Sequence, residues 1–196
     1  VALLLYLYPM IVFLLSVIFL REKITWVKVA ALVVALIGTG LTVGPAGGQA
    51  LGIFYAIASA VIYSVYIIVG AGVMKKVSAI QSSLVIFASA AAVYGTLVAV
   101  NGAHFPATGN GWRSLAGIVT FATVIPVVTF LAGLERIGPT NASLLSTLEP
   151  VVTVLLAWRL FGEQLGTITL VGGALILVAV VVLTRSEMAQ VETTEV

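Results

Sequence analysis

Cysteine and aspartate are both missing from the chain. Without cysteine there is no disulfide, no thiol nucleophile and no thiolate metal site. Every acid is a glutamate, and His104 is the sole histidine. One histidine in a loop, with no cysteine or aspartate to help it, makes a poor metal site and a poor catalytic base. No zinc-protease helix motif and no phosphate-binding glycine loop occurs, which argues against the common intramembrane proteases and leaves nothing that points to ATP. The sequence thus implies no enzyme, no cofactor and no metal. Charge is scarce too. Asp, Glu, Lys and Arg together make up 8% of residues, where a soluble domain carries about 25%. The net charge of +2 leaves no electrostatic footprint for nucleic acid.

What is present is apolar. Hydrophobic residues make up 61% of the chain, more than a water-soluble core of this size could hide. An all-α, polytopic membrane helix bundle is the expected fold, with the lipid bilayer as its main partner. Runs of about twenty apolar residues suffice to cross the hydrocarbon. About seven are predicted, at 2–20, 26–43, 51–71, 80–100, 113–134, 140–161 and 167–184. Short breaks with turn formers or charges separate them. The first run begins at Val1 and has neither a basic leader nor a small-residue cleavage site, so it reads as a span rather than a signal peptide. The expectation is a chain whose upstream spans are absent. Residues 185–196 are polar and expected to lack fixed structure.

Orientation follows from Lys and Arg. With seven alternating spans, Arg21, Lys23, Lys28, Lys75, Lys76, Arg136 and Arg185 fall on one side, and Arg113 and Arg159 on the other. The first side is expected to be cytoplasmic, and it carries the C-terminus.

The chain also repeats itself. Shifted by 141 residues, LYPMIVFLLSVIFLREKI falls on LEPVVTVLLAWRLFGEQL, with Pro9 on Pro150, Leu14 on Leu155 and Glu22 on Glu163. The copies open the first and sixth spans. An odd number of steps separates them, so they cross in opposite senses, as in the inverted repeats of secondary transporters. Residues 1–45 then read as the last two spans of a first five-span repeat, and 51–184 as a complete second one.

These residues carry a family resemblance. Leu148-Glu149-Pro150-Val151, Leu155-Leu156-Ala157-Trp158, Phe161-Gly162-Glu163-Gln164-Leu165 and Gly172-Gly173-Ala174 resemble the EamA-type transporters of the drug/metabolite transporter superfamily. Tyr8-Pro9-Met10 with Leu20-Arg21-Glu22-Lys23-Ile24 is the first-half copy, and Glu135 to Ala142 resembles the loop into the family's ninth span. The resemblance implies a ten-helix, 5+5 inverted-repeat permease of the cell membrane, inner or plasma, exporting small metabolites such as amino acids or drugs. A second copy of the chain is a candidate partner.

Glu149 is the residue on which a mechanism would turn. A carboxylate at bilayer depth costs roughly 2.5–3.5 kcal/mol on insertion scales and is kept mainly where it faces a bundle interior or a wet cavity. Ala142, Ser146, Glu149 and Thr153 share one helical face, so the acid lies on a stripe of small and hydroxylated side chains. Glu149 is therefore a candidate for substrate binding or proton exchange; the alternative is a structural acid bonded to a serine or tyrosine of a neighbouring span. Pro150 is expected to free the carbonyl of Ser146 and to push Glu149 off helical dihedrals. Tyr8 is the repeat partner of Glu149 and joins the candidate site. On the third span Tyr55, Ser59, Ile62 and Tyr66, with Tyr63 more loosely, share a face that could line the same cavity. The bland alternative for the tyrosines is an interfacial belt. Pro126 is expected to kink the fifth span. Gly38, Gly40, Gly172, Gly173 and Ala174 read as packing positions. Glu22 and Glu163 read as helix-opening acids, and Trp112 and Trp158 as interfacial anchors. A scaffold or passive pore is the rival to a carrier.

Overall fold

The computed structural model describes residues 2–43, 50–102 and 105–194, without the side chains of residues 2, 3 and 187–194. His104 lies outside the described residues. The elements are α1 (Ala2–Leu5), α2 (Tyr8–Leu20), α3 (Trp26–Val43), α4 (Ala50–Val73), α5 (Ala79–Asn101), α6 (Gly109–Val119), a π-helical turn (Thr120–Val124), α7 (Ile125–Leu145), a 3-10 turn (Ser146–Leu148), α8 (Glu149–Phe161) and α9 (Thr167–Thr194). No strand occurs among the described residues. Hydrocarbon offers no hydrogen-bond partners, so a chain this apolar must satisfy its backbone within helices.

Five helical stretches are long and apolar enough to cross a membrane: α3, α4, α5, the run Gly109–Phe161 and Thr167–Ser186. The run Gly109–Phe161 has 53 residues, about 80 Å of helix against about 30 Å of hydrocarbon. Its backbone leaves helical dihedrals at Gly138 (φ 76°, ψ 171°), just before Pro139. That φ lies in the left-handed region that suits glycine. The turn sits where the sequence places a break between spans.

Two expectations are corrected here. The first predicted span is two helices, with α2 only 13 residues long. Pro126 is accommodated within a continuous helical stretch. The turn before it widens to π geometry, and the Ile125 N–H reaches the carbonyl of Thr120, so the proline's missing donor is absorbed. The polar tail does not stop the last helix: α9 runs through Thr194, because Arg185 to Thr194 contains no glycine or proline and several good helix formers.

The chain divides into two compact units, Val1–Ile68 with Pro139–Val196, and Val69–Gly138. In the second unit Leu131 and Leu134 are almost fully buried, and a Cβ on Gly70 would lie 3.1 Å from Leu134. Most of the apolar surface of α5 points outward, as on a lipid-facing helix.

The first unit is organised by the pairing of α3 with α9, the most extensive helix contact in the chain. Gly38 and Gly172 let the two backbones touch. A Cβ on Gly38 would lie 2.7 Å from the Gly172 carbonyl oxygen; one on Gly172 would lie 2.6 Å from that of Gly38 and 2.5 Å from Thr42 Oγ1. Gly38 also faces Ile176, so the partner residue advances along α9 as α3 is followed backward. The helices are therefore antiparallel. Phe13, Ala31, Leu32, Ala35, Leu144, Ala179, Val180 and Leu183 continue the contact as one buried cluster.

The two segments aligned by the 141-residue shift have similar local structure. Tyr8–Leu20 and Glu149–Phe161 are both 13-residue helices with proline in the first turn. Their preceding residues, Leu7 (φ −72°, ψ −14°) and Leu148 (φ −69°, ψ −18°), match. Both helices end in a left-handed residue, Arg21 or Gly162. Both are followed by a helix starting 18 residues after their own first residue, at Trp26 and Thr167.

Gly172→Ala and Gly38→Ala are each expected to destabilise the protein by about 1–3 kcal/mol, because the new methyl meets backbone that no rotamer change relieves. Gly40→Ala, with nothing within 4 Å of the new Cβ, should be neutral or mildly stabilising. Thermal unfolding in detergent separates the three.

Candidate functional site

The entry into α8 places Glu149. Ser146–Leu148 winds as a 3-10 turn, and the Glu149 N–H bonds back to the Ser146 carbonyl. Ser146 therefore has no free carbonyl, contrary to the sequence expectation. Glu149 is also helical (φ −52°, ψ −50°). The tighter i→i+3 bond uses a donor ahead of the proline, so Pro150 sits in the first turn of α8, where its missing N–H costs little. Pro9 is used in the same way, with the Leu7 carbonyl accepting from Met10 and Ile11.

Tyr8 is buried. Its Oη donates to the Ser143 carbonyl at 3.4 Å, and its own carbonyl accepts from Ser64 Oγ at 3.2 Å. The Tyr63 ring stands edge-on to Tyr8 with centroids 5.0 Å apart, and Tyr66 stacks on Tyr63 at 5.8 Å. Glu149 lies close enough to Tyr6, Tyr8 and Tyr63 to interact electrostatically with each. The structure thus brings together Glu149, Tyr8, Tyr63 and Tyr66 from three helices. Ser146 adjoins them, within reach of the Tyr8 phenol, while its own Oγ donates to Ala142 at 3.0 Å. The Tyr8 hydroxyl donates to Ser143, and the Glu149 carboxylate makes no hydrogen bond or ion pair among the described residues. The carboxylate is exposed, whereas Pro150 and Val151 behind it are buried.

Other predicted members stay apart from this cluster. Thr153 is exposed one turn further along α8, and Ser59 is exposed on α4. Tyr55 is exposed as well and packs its ring on Phe54 at 5.9 Å. It lies eight residues, about 12 Å along the helix, from Tyr63. Two residues were missed, Ser64 and Ser143, both fully buried. The signal for Ser64 was the stripe Ala56, Ala60, Ser64, Ile67, whose small side chains mark the packed face of α4 better than its tyrosines do. Ser143 acts through its carbonyl, which no sequence pattern reveals.

A second polar group lies at the α2–α3 loop. Glu22 pairs with Lys28 at 2.9 Å and accepts from Thr140 Oγ1 at 2.6 Å. The expectation that Glu22 opens α3 is corrected: the side chain of Thr25 accepts the Lys28 N–H and caps the helix. Glu163, its repeat partner, is exposed. Of the five glycines and alanines read as packing positions, Gly38 and Gly172 carry the close approach, while Gly40 faces open space. No group of three or more metal-ligating side chains occurs among the described residues.

Residues 50–185 match the model of the EamA-like transporter family. The chain belongs to that family. Two uncharacterized transporters of Archaeoglobus fulgidus are 30% identical over 186 residues and 27% identical over 187. The chain spans 66% and 64% of their lengths. An uncharacterized transporter of Bacillus subtilis, YcbK, is 26% identical over 130 residues, covering 62% of this chain and 41% of its own length. One crystal structure superimposes with a TM-score of 0.78 at 23% identity, covering 92% of this chain and 64% of that one. That likeness concerns the fold. With its long apolar helices, this EamA-like chain is a multi-pass membrane protein.

Tyr8→Phe removes one long hydrogen bond and is expected to cost about 0.5–1.5 kcal/mol. Tyr8→Ala empties a buried aromatic site and should cost about 3–5 kcal/mol. Thermal unfolding of both variants checks the difference.

Proposed function

We propose that this chain is part of a secondary transporter that exports small metabolites, such as amino acids or drugs, through a cavity centred on Glu149. The observation that carries the reading is the unpaired carboxylate beside Tyr8 and Tyr63. An acid in a membrane helix is stable where it meets water or a polar ligand, and Glu149 keeps both oxygens available for one. The tyrosine rings offer apolar faces with polar edges, which suits a substrate with an apolar body and a polar head. Family membership and the transporter names of the relatives support the same function.

On this reading seven spans are present, with Gly138 separating two crossings inside the long run Gly109–Phe161. The 141-residue repeat belongs to a 5+5 inverted fold, and the matched geometry of α2 and α8 supports it. The lysine and arginine bias puts the C-terminus in the cytoplasm of a cell whose inner or plasma membrane holds the protein. Proton exchange at Glu149 couples transport to the pH gradient.

The test uses full-length protein in proteoliposomes and a panel of labelled amino acids and drugs, with and without an imposed pH gradient. Uphill, gradient-dependent flux is expected. Glu149→Gln should abolish accumulation and flatten the pH dependence of any residual flux. Downhill-only flux, unaltered by Glu149→Gln, would indicate a passive pore and remove the acid from the mechanism. A reporter fused after Val196 should read out on the cytoplasmic side.

A further inference from the structure

The Glu22 group and the Tyr8 group are joined by a run of hydrogen bonds. Lys28 Nζ holds Glu22 Oε1 at 2.9 Å, and Thr140 Oγ1 donates to Glu22 Oε2 at 2.6 Å. Ser143 Oγ donates to the Thr140 carbonyl at 2.9 Å, and Tyr8 Oη donates to the Ser143 carbonyl at 3.4 Å. Thr140 and Ser143 are buried throughout. The Glu22 carboxylate thus uses one oxygen on each of two helices, α3 and the last part of α7.

The anchored point matters because of where it falls. Thr140 is the second residue after Gly138, where the helix loses its regular backbone. From there the chain leads through Ser143 and Ser146 to Glu149 without another anchor of opposite charge. A segment that begins at a break in helical dihedrals is held less firmly by the helix before it, so a bond from outside helps to fix its start. Half-buried charge-assisted bonds are strong enough to do so.

We propose that Glu22 is a positioning residue of the Glu149 site. By holding Thr140 it sets the placement of the segment from Pro139 to Glu149, and with it the seating of Tyr8 against Ser143. This rests on the reading of Glu149 as a site residue, but not on transport itself. The repeat copy gives a contrast: Glu163 is exposed and takes part in no ion pair among the described residues. Only one of the two sequence-equivalent glutamates is built in this way.

The chain has no cysteine, so single introduced cysteines can be read in the full-length protein once any cysteine outside this chain is replaced. Ser146→Cys is labelled with a charged methanethiosulfonate reagent in membranes, alone and combined with Thr140→Val, Thr140→Ser or Glu22→Gln. Leu177→Cys, on an outward face of α9, is the control for general loosening. Thr140→Val and Glu22→Gln are expected to speed labelling at 146 by about fivefold or more, with Thr140→Ser within about twofold of the parent. Leu177→Cys should stay unlabelled throughout. An unchanged rate at 146 in both variants would overturn the proposal, as would labelling that rises equally at 177. The readout needs no substrate, so a failed flux assay and a failed labelling test are separate results.

Discussion

Everything in this fold answers to a solvent that cannot hydrogen-bond. Several side-chain hydroxyls inside the helices turn back to their own carbonyls, as Thr42 does to Gly38, Ser64 to Ala60, Ser83 to Ala79 and Thr184 to Val180. Each such bond makes a polar residue nearly neutral toward lipid. A carboxylate has no hydrogen to give and cannot use this solution. Glu22 and Glu149, both in the first unit, are therefore handled differently from these hydroxyls. Glu22 is met by a lysine and a threonine, while Glu149 is left with oxygens unbonded and aromatic rings beside it. One is paired within the protein; the other is exposed.

The same solvent explains the frame. Lipid tails are as apolar as leucine, so helices gain little from burying leucine against each other, and close packing takes over. Gly38 and Gly172 bring α3 and α9 into backbone contact, and the alanines at 31, 35 and 179 extend it. These are the helices that follow the two repeat copies. The pair thus joins corresponding elements of the repeat, and α2 and α8, which carry Tyr8 and Glu149, lead directly into it.

Much of this was legible in the residues. Apolar runs located most of the helices, and the 141-residue shift paired the segments whose helices, α2 and α8, have matching ends in the structure. Glu149, Tyr8, Tyr63 and Tyr66, which the structure places near one another, stood out as candidates because an acid and phenols are conspicuous in a hydrocarbon sequence. What stayed hidden depends on backbone geometry. The rule that proline frees a carbonyl assumes a regular α-helix, and the 3-10 turn before Pro150 and the π turn before Pro126 both evade it. Helical periodicity put Tyr55 and Ser59 with Tyr66, yet a shared face does not mean a shared depth. The bonds of Glu22 to Thr140 and of Tyr8 to Ser143 span 118 and 135 residues, and nothing local announces them.

The central claim is that the Glu149 carboxylate meets water rather than lipid. Carbodiimide modification of the full-length protein in native membranes, read by mass spectrometry, tests it most directly. A water-soluble carbodiimide with an amine nucleophile should modify Glu149. Modification by a lipid-soluble carbodiimide alone would place the acid against the acyl chains and contradict the account.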